Sequence, residues 1–282
     1  MDMELENEIR KVLRRYHKKK WIAGAIVILD IAFFVYLYVF KLNTDVCIWA
    51  FGNMGAFFMQ AFIFIGYMAI AIGAGLLIAF TNMEMQKILF ETCDPFLYEA
   101  CILRTRQIFF KDRVKCNLAV SRYYQGNIEK AYATLMEIRP GKLKKEFLIN
   151  YYLILSAVYF EKGMGDKVPE LEKTCKRRMA NNKKGQKLFW YLCASNNLQR
   201  AIVNKDYEAA FKFLNEAEEQ RTKYNYRIYK LFYCYYSALI YMGVGDKKSA
   251  KWNLDYVIQT GNCLSVKEKA EEMRKSMEES EI

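Results

Sequence analysis

Histidine is nearly absent from the 282-residue chain, and its single copy is His17. One imidazole leaves little room for a histidine-containing metal site or for a nucleophile activated by a histidine base. The eight cysteines form no C-x-x-C pair. Seven of them follow the apolar runs in helical patterns, and we expect these to be buried, reduced thiols.

Sequence motifs that carry catalysis are also missing. Phosphate loops of the G-x-x-x-x-G-K-[ST] type, nucleophile elbows of the G-x-S-x-G type and H-E-x-x-H helices do not occur. Without these motifs and without a second histidine, an enzyme is disfavoured. We expect a non-catalytic protein that holds no cofactor and no metal.

Acidic residues are fewer than basic ones. The chain has 43 Lys and Arg against 31 Asp and Glu, a net charge of +12. Basic chains favour anionic partners, either nucleic acid or anionic lipid surfaces. The basic residues are spread through the chain, and no zinc-finger, RRM or KH signature accompanies them. We therefore expect no nucleic-acid partner, and we expect anionic lipid headgroups to lie near the basic N-terminal segment.

The mean hydropathy of -0.11 is high for a chain with so many charged residues, and two long apolar runs account for it. Residues 21–40 contain one charged side chain, Asp30, and residues 56–80 contain none. At 1.5 Å per residue, each run is long enough to span the hydrocarbon core of about 30 Å. The first run is too long for a signal peptide and no small-residue cleavage site follows it. The sequence predicts transmembrane helices at 21–40 and 56–80, joined by a short external loop at 41–55.

Basic residues flanking these runs predict the orientation in the membrane. Residues 10–20 contain seven Lys or Arg, whereas the loop at 41–55 contains only Lys41. More cations follow the second run. The positive-inside rule then places both termini in the cytoplasm, with residues 1–20 as a basic cytoplasmic segment. We expect a two-span protein of the cell membrane.

Asp30 is the intramembrane side chain with the most distinctive chemistry. A carboxylate at mid-membrane is costly, so it should be protonated or paired. In an antiparallel hairpin its depth matches that of Tyr67, whose hydroxyl is placed to pair with it. One interpretation is a helix-pairing device, and glycines in the second run would also let helices approach closely in a homo-oligomer. The other is a proton or ion site, which we favour less because a two-helix hairpin has little interior for a transport path.

A repeat follows the apolar runs. From Thr81 onward, apolar residues recur at helical spacing, and four similar turns are separated by 39, 40 and 40 residues. In each turn a Gly, or Lys in one case, ends the first helix, and Asn or Asp caps the next. A fixed period of this size indicates a helical solenoid. The turns are Gly126-Asn127, Gly165-Asp166, Lys205-Asp206 and Gly245-Asp246.

The segments after three of these turns read G-N-I-E-K-A-Y-A-T-L, K-D-Y-E-A-A-F-K-F-L and G-D-K-K-S-A-K-W-N-L. They resemble the tetratricopeptide repeat (TPR), in which an Ala falls five residues past the turn Gly. The resemblance covers repeats at 95–264, preceded by a connecting helix or linker at 81–94 and followed by a capping helix and tail at 265–282. The second unit departs from it, with Glu170 and Thr174 at the Ala and Leu sites. The expected fold is all-α, a transmembrane helical hairpin followed by a TPR-like α-solenoid.

The resemblance implies a function in protein–protein interaction, because the first helix of each TPR unit lines a concave groove. Aromatic anchors beside amides suit the capture of a protein or peptide ligand. The alternative is that many of these tyrosines are half-buried core. Transferred by register, the groove residues are Arg113, Asn117, Tyr152, Tyr159, Asn196, Gln199, Phe232, Tyr235 and Tyr236.

Two functions remain open. The first is a membrane-anchored scaffold at the cytoplasmic face of the membrane. The second is an oligomeric transport or channel-associated subunit that uses Asp30.

Overall fold

The computed structural model of the protein describes residues 3–36, 44–105, 111–179, 183–220 and 226–279, and all longer regular elements in these ranges are α-helices. The all-α prediction is thereby confirmed for this part of the chain. Two short 3₁₀ turns, Pro140–Lys142 and Gly165–Lys167, interrupt the connections. The helices are α1 (Met3–Tyr36), α2 (Thr44–Phe90), α3 (Pro95–Arg104), α4 (Lys111–Tyr124), α5 (Ile128–Met136), α6 (Lys145–Glu161), α7 (Val168–Met179), α8 (Lys183–Val203), α9 (Tyr207–Gln220), α10 (Arg227–Gly243), α11 (Lys247–Thr260) and α12 (Ser265–Glu279).

The chain divides into two compact units, residues Met1–Gln86 and Lys87–Ile282. The boundary between them falls inside α2. Residues 44–55, expected to be an external loop, instead form the first turns of this helix. No proline interrupts residues 44–90, so nothing in that stretch removes a backbone hydrogen bond and stops the helix.

In the first unit, α1 and α2 run antiparallel. The Tyr16 hydroxyl lies 3.2 Å from the Asn82 side-chain oxygen, near the polar end of the pair. Toward the other end, the rings of Phe34 and Tyr67 lie 4.9 Å apart. Among the described residues, one helical segment, Gln60–Phe90, is long and apolar enough to cross a membrane by its length and composition.

The buried residues of α1 recur at a spacing of seven. They are Ile9, Tyr16, Ala23 and Asp30, and the residues between them are exposed or half-buried. A seven-residue spacing keeps one narrow face of a helix turned toward a partner helix. Asp30 thus belongs to the protein-facing stripe of α1.

In the second unit, helices pack mainly on their neighbours in sequence. Each helix from α3 to α12 contacts the next, and α4, α6 and α8 also contact one another in order. One core cluster shows the pattern, with Leu198 and Ala201 of α8, Ala210 and Leu214 of α9, and Ile240 of α10 buried together. Such packing between neighbours is typical of helical repeats.

Three of the four predicted turns have the same backbone geometry. Gly126, Lys205 and Gly245 adopt positive φ angles of 79°, 58° and 83°. The amide of the residue after each of them bonds to the carbonyl five residues earlier, at 2.9 Å in all three turns. This is the Schellman ending, in which a left-handed residue lets the chain leave the helix with its carbonyls satisfied.

The residue after each left-handed position caps the next helix, as predicted. The side-chain oxygens of Asn127, Asp206 and Asp246 accept from the amide three residues further on, at 3.2, 3.1 and 3.0 Å. Hydrogen bonds from Ser249 lower the pKa of the Asp246 carboxyl below its ordinary value. Four residues after each cap, an Ala is fully buried where the two helices of the pair approach most closely.

The second turn departs from its prediction. Gly163, and not Gly165, takes the left-handed conformation, with φ at 68°. Asp166 falls within a 3₁₀ turn and does not cap α7. Pro169 is the second residue of α7 and lacks a backbone N–H, which fits only the first turn of a helix. Val168, fully buried, stands four residues after Met164 and takes the position that Ala holds in the other three pairs.

Lys205 is the one non-glycine residue at the left-handed position of these three turns, so we predict that Lys205→Gly stabilises the protein. A side chain in this conformation costs about 1–2 kcal/mol, partly offset by the flexibility of glycine when unfolded. We expect the free energy of unfolding to rise by about 0.5–1 kcal/mol. Thermal unfolding of the full chain, followed by circular dichroism, measures the change. Gly245→Ala is the matched control and should destabilise by a similar amount; a shift of both variants in one direction would contradict the assignment.

Candidate partner-binding surface

The two ends of the second unit meet. The Asn262 side-chain amide donates to the backbone carbonyl of Thr92 at 2.8 Å, across 170 residues of chain. Lys269 of α12 pairs with Glu161 at the end of α6, at 2.7 Å. A Cβ added to Gly126 would lie 3.0 Å from Ser265 Cβ. Through these closing contacts, the segment around the start of α12 lies against the segment before α3 and the turn between α4 and α5.

Aromatic rings contact one another on the side of the array where its two ends meet, which we call the inner side. Tyr124 at the end of α4 lies 5.4 Å from Phe232 of α10, and Phe232 lies 6.3 Å from Tyr236. Phe90 at the end of α2 stacks on Tyr226 at 5.3 Å. We call these residues the inner aromatic cluster. It joins the first helices of the unit to α10 through side chains rather than through backbone.

Gln199 and Tyr236 are linked within this cluster. The Gln199 side-chain amide donates to the Tyr236 hydroxyl. Burial raises the pKa of Tyr236 well above its ordinary value, and the neighbouring Tyr235 and Glu161 raise it further. Each of these rings nevertheless keeps part of its surface accessible. The residues of the cluster are therefore only partly buried.

Four of the nine predicted groove residues come together here: Gln199, Phe232, Tyr235 and Tyr236. The structure does not place two others on any accessible surface, since Tyr152 and Asn196 are each 2% exposed. Asn196 donates to Glu172 at 2.8 Å, inside the α7–α8 pair. Their assignment to the groove is corrected, because transfer by register put them on a face that the neighbouring helix covers.

The remaining three predicted residues lie toward the other end of the array. The Arg113 guanidinium stands over the Phe147 ring at 4.5 Å. Asn117 is half-buried on α4. Tyr159 is half-buried, and its ring centroid is 6.3 Å from that of Tyr132. These residues are accessible but make no contact with the inner aromatic cluster among the interactions that the structure describes.

Transfer by register missed Tyr123, Tyr124 and Glu161. They stand at the ends of α4 and α6, just before the turns. Burial and the neighbouring Tyr236 and Glu161 raise the pKa of Tyr123 well above its ordinary value. The consecutive tyrosines before Gly126 were the available signal, because two adjacent rings cannot both face the α4–α5 core.

Asp30 and Tyr67 lie on facing helices of the first unit. Asp30 is 7% exposed. The ring of Tyr67 packs on Phe34, one helical turn along α1 from Asp30. The predicted pairing of the Tyr67 hydroxyl with the Asp30 carboxyl stays a prediction, and the stripe position of Asp30 keeps its carboxyl within the hairpin.

The most deeply buried thiols of the second unit are poor nucleophiles. Burial raises the pKa of Cys116 and of Cys175 to about 12, so almost none of either thiol is ionised at neutral pH. No group of three or more His, Cys, Asp or Glu side chains within the described ranges is placed to hold a metal ion.

No family model, no curated protein and no solved structure matches this chain.

We predict that buried tyrosines of the second unit make the protein sensitive to alkali. Burial raises the pKa of Tyr151 and of Tyr235 to about 12, and that of Tyr236 beyond this. A folded pKa above the unfolded value means that their stabilising contribution is complete below about pH 10 and is lost as pH rises through the folded pKa. Tyrosinate absorbance should therefore rise in two stages, the second coinciding with loss of helical circular dichroism. A single smooth titration near pH 10 with helicity unchanged would contradict the burial.

Proposed function

We propose that the protein is a membrane-anchored, non-catalytic scaffold. Its hairpin inserts into the bilayer through both α1 and α2, and a TPR-like helical array on the cytoplasmic side binds other proteins. One observation supports this proposal best. The outer surfaces of α1 and α2 change from polar to apolar at the same height along the helix pair.

The ion pair between Lys19 and Glu84, at 2.6 Å, marks that level. Two residues further along α1, Trp21 is 78% exposed, and four residues back along α2, Phe80 is 60% exposed. Beyond them the exposed side chains are nearly all apolar, and most of them are large, as far as Tyr36 on α1 and Met54 on α2. Soluble proteins rarely expose apolar patches of this size. A bilayer on one side of the ion pair and water on the other accounts for the change.

The TPR-like assignment of the array is supported by the three equal turns and their buried Ala positions. Packing between sequence neighbours alone would not hold the ends together, and the closing contacts give the array a defined inner surface. Aromatic rings beside the Gln199 amide offer stacking and hydrogen bonding together, which suits a peptide or a loop of a partner. The basic residues of 1–20 then lie where anionic headgroups of the cytoplasmic leaflet are found.

The topology can be tested by cysteine labelling in intact cells. A membrane-impermeant maleimide should label Asn43→Cys, in a Cys47→Ser background, because residue 43 is predicted to be outside. Leu5→Cys should react only after permeabilisation. Cys263 is exposed in the folded array and serves as an internal cytoplasmic control. Labelling of Cys263 in intact cells would refute the orientation, and protection of residue 43 would refute the two-span hairpin.

Partner binding can be tested by placing a photoreactive phenylalanine analogue at aromatic positions of the full chain in its membrane. Tyr159 and Tyr235 are half-buried positions predicted to face a partner, and the substitution keeps a ring at each. Phe211, an exposed ring on α9, is the matched control because α9 is the second helix of its pair. We expect covalent adducts with a protein partner at 159 and 235 and none at 211. Adducts at 211 alone, or at no position, would contradict a binding surface on the first helices.

The burial of Asp30 favours a second candidate function, an oligomeric transport or channel-associated subunit. A carboxyl held within an apolar hairpin is the kind of group that carries protons or ions in membrane proteins. In that case Asp30→Asn would abolish flux while the chain stays inserted and folded. In a scaffold the same variant would leave the photo-adducts unchanged.

A further inference from the structure

The second unit carries a basic patch outside the inner aromatic cluster. Residues 173–187 contain seven Lys or Arg, and residues 139–145 contain four. No Asp or Glu occurs between Glu172 and Asp206. The other concentration of basic residues, at 10–20, precedes an apolar run, whereas these two segments lie far from both runs and need their own explanation.

Two contacts join the segments into one surface. A Cβ added to Gly141 would lie 3.8 Å from a guanidinium nitrogen of Arg178, which brings the end of α7 to the connection before α6. Lys184 reaches Glu146 at 3.2 Å, which brings the start of α8 to the start of α6. We call the described cations of residues 139–145 and 173–187 the basic patch.

Carboxylates neutralise only part of this patch. Glu170 lies within 4.0 Å of Lys173 and 3.8 Å of Arg177. Arg139 approaches Asp112 at 3.7 Å, and Lys184 pairs with Glu146. Within the described part of the chain, no ion pair forms at the other seven cations. They are Lys142, Lys144, Lys145, Lys176, Arg178, Lys183 and Lys187.

Helix stability explains some of these cations but not all. Lys176, Arg177 and Arg178 lie in the last turn of α7, where the helix dipole favours positive charge. Lys183 and Lys187 lie at the start of α8, where the dipole disfavours it, and no acidic residue occupies that first turn. The lysines of α8 therefore act against the stability of their own helix, which points to an anionic ligand outside it.

An exposed tryptophan extends the patch. Trp190 is 58% exposed and stands on the same face of α8 as Lys183 and Lys187, at a spacing of four and then three residues. Tryptophan beside lysine is typical of the interface between headgroups and acyl chains. Duplex nucleic acid would be bound chiefly through its phosphates, which would leave this exposed ring without a contact.

We propose that the basic patch, with Trp190, binds the anionic lipid surface of the membrane in which the protein is anchored. This inference rests on the proposed function, because the hairpin keeps the array close to the bilayer and so raises the effective lipid concentration at the patch. The shared chemistry is the phosphate or carboxylate of lipid headgroups, concentrated on the cytoplasmic leaflet.

The test uses the full chain in nanodiscs, with Trp190 as its sole tryptophan. Trp21, Trp49 and Trp252 are replaced by Phe, and bromine-bearing acyl chains quench a tryptophan that reaches the bilayer. We expect stronger quenching of Trp190 in discs that contain phosphatidylserine than in discs of phosphatidylcholine alone, and a loss of this difference at high salt.

Two variants with equal charge removal locate the effect. The patch variant should quench in phosphatidylserine discs no more than in neutral ones, whereas the control variant should behave like the parent. The patch variant carries Lys142→Gln, Arg178→Gln, Lys183→Gln and Lys187→Gln. The control variant carries Lys205→Gln, Lys212→Gln, Lys248→Gln and Lys251→Gln, all at exposed positions elsewhere on the array.

Equal quenching in both kinds of disc, or equal loss in both variants, would overturn the proposal. Tight binding of an RNA oligonucleotide in neutral discs, lost only in the patch variant and without any lipid response, would overturn it in favour of nucleic acid. A chain that fails to coelute with neutral discs would instead refute the hairpin anchor. In that case, cosedimentation with phosphatidylserine vesicles tests the basic patch independently of the anchor. The control variant should cosediment and the patch variant should not.

Discussion

The contact between Tyr124 and Phe232 joins helices from opposite ends of the array, and the shape of the second unit depends on it. Closing so long a segment has a cost in chain entropy, and this cost grows only slowly with the length of the segment. Burial of the aromatic rings offsets it. The closure also constrains every pair in between. If any turn set a different angle between its helices, the error would add along the array and the rings would not meet.

Local patterns account for the parts of the fold that the sequence predicted well. Asn127, Asp206 and Asp246 were recognisable as caps because a cap and its left-handed neighbour act within a few residues of each other. The turn before α7 was misplaced because Gly163 and Gly165 offer the same residue type two positions apart. Only the packing of Val168 against its neighbours selects the first of them.

The exposure of the predicted groove residues was predicted less well for a different physical reason. Register on a single helix identifies a face, but it does not show which other helix will cover that face. Tyr152 and Asn196 follow the expected periodicity and are buried by a neighbour. Tyr123 and Tyr124 lie outside the expected register and reach the inner surface because the ends of the array meet, which depends on residues far away in the chain.

The stripe of α1 has a consequence for the history of the sequence. Its buried positions keep a strict seven-residue spacing, whereas an ideal helix drifts by about 20° over seven residues, so α1 should coil with a left-handed sense around its partner. A single inserted residue between Ala23 and Asp30 would turn the carboxyl by about 100° and move it from the protein-facing stripe to the outer surface of α1. Insertions or deletions in this helix should therefore be tolerated only in multiples of seven residues. Substitutions outside the buried stripe should be tolerated far more freely than changes in length.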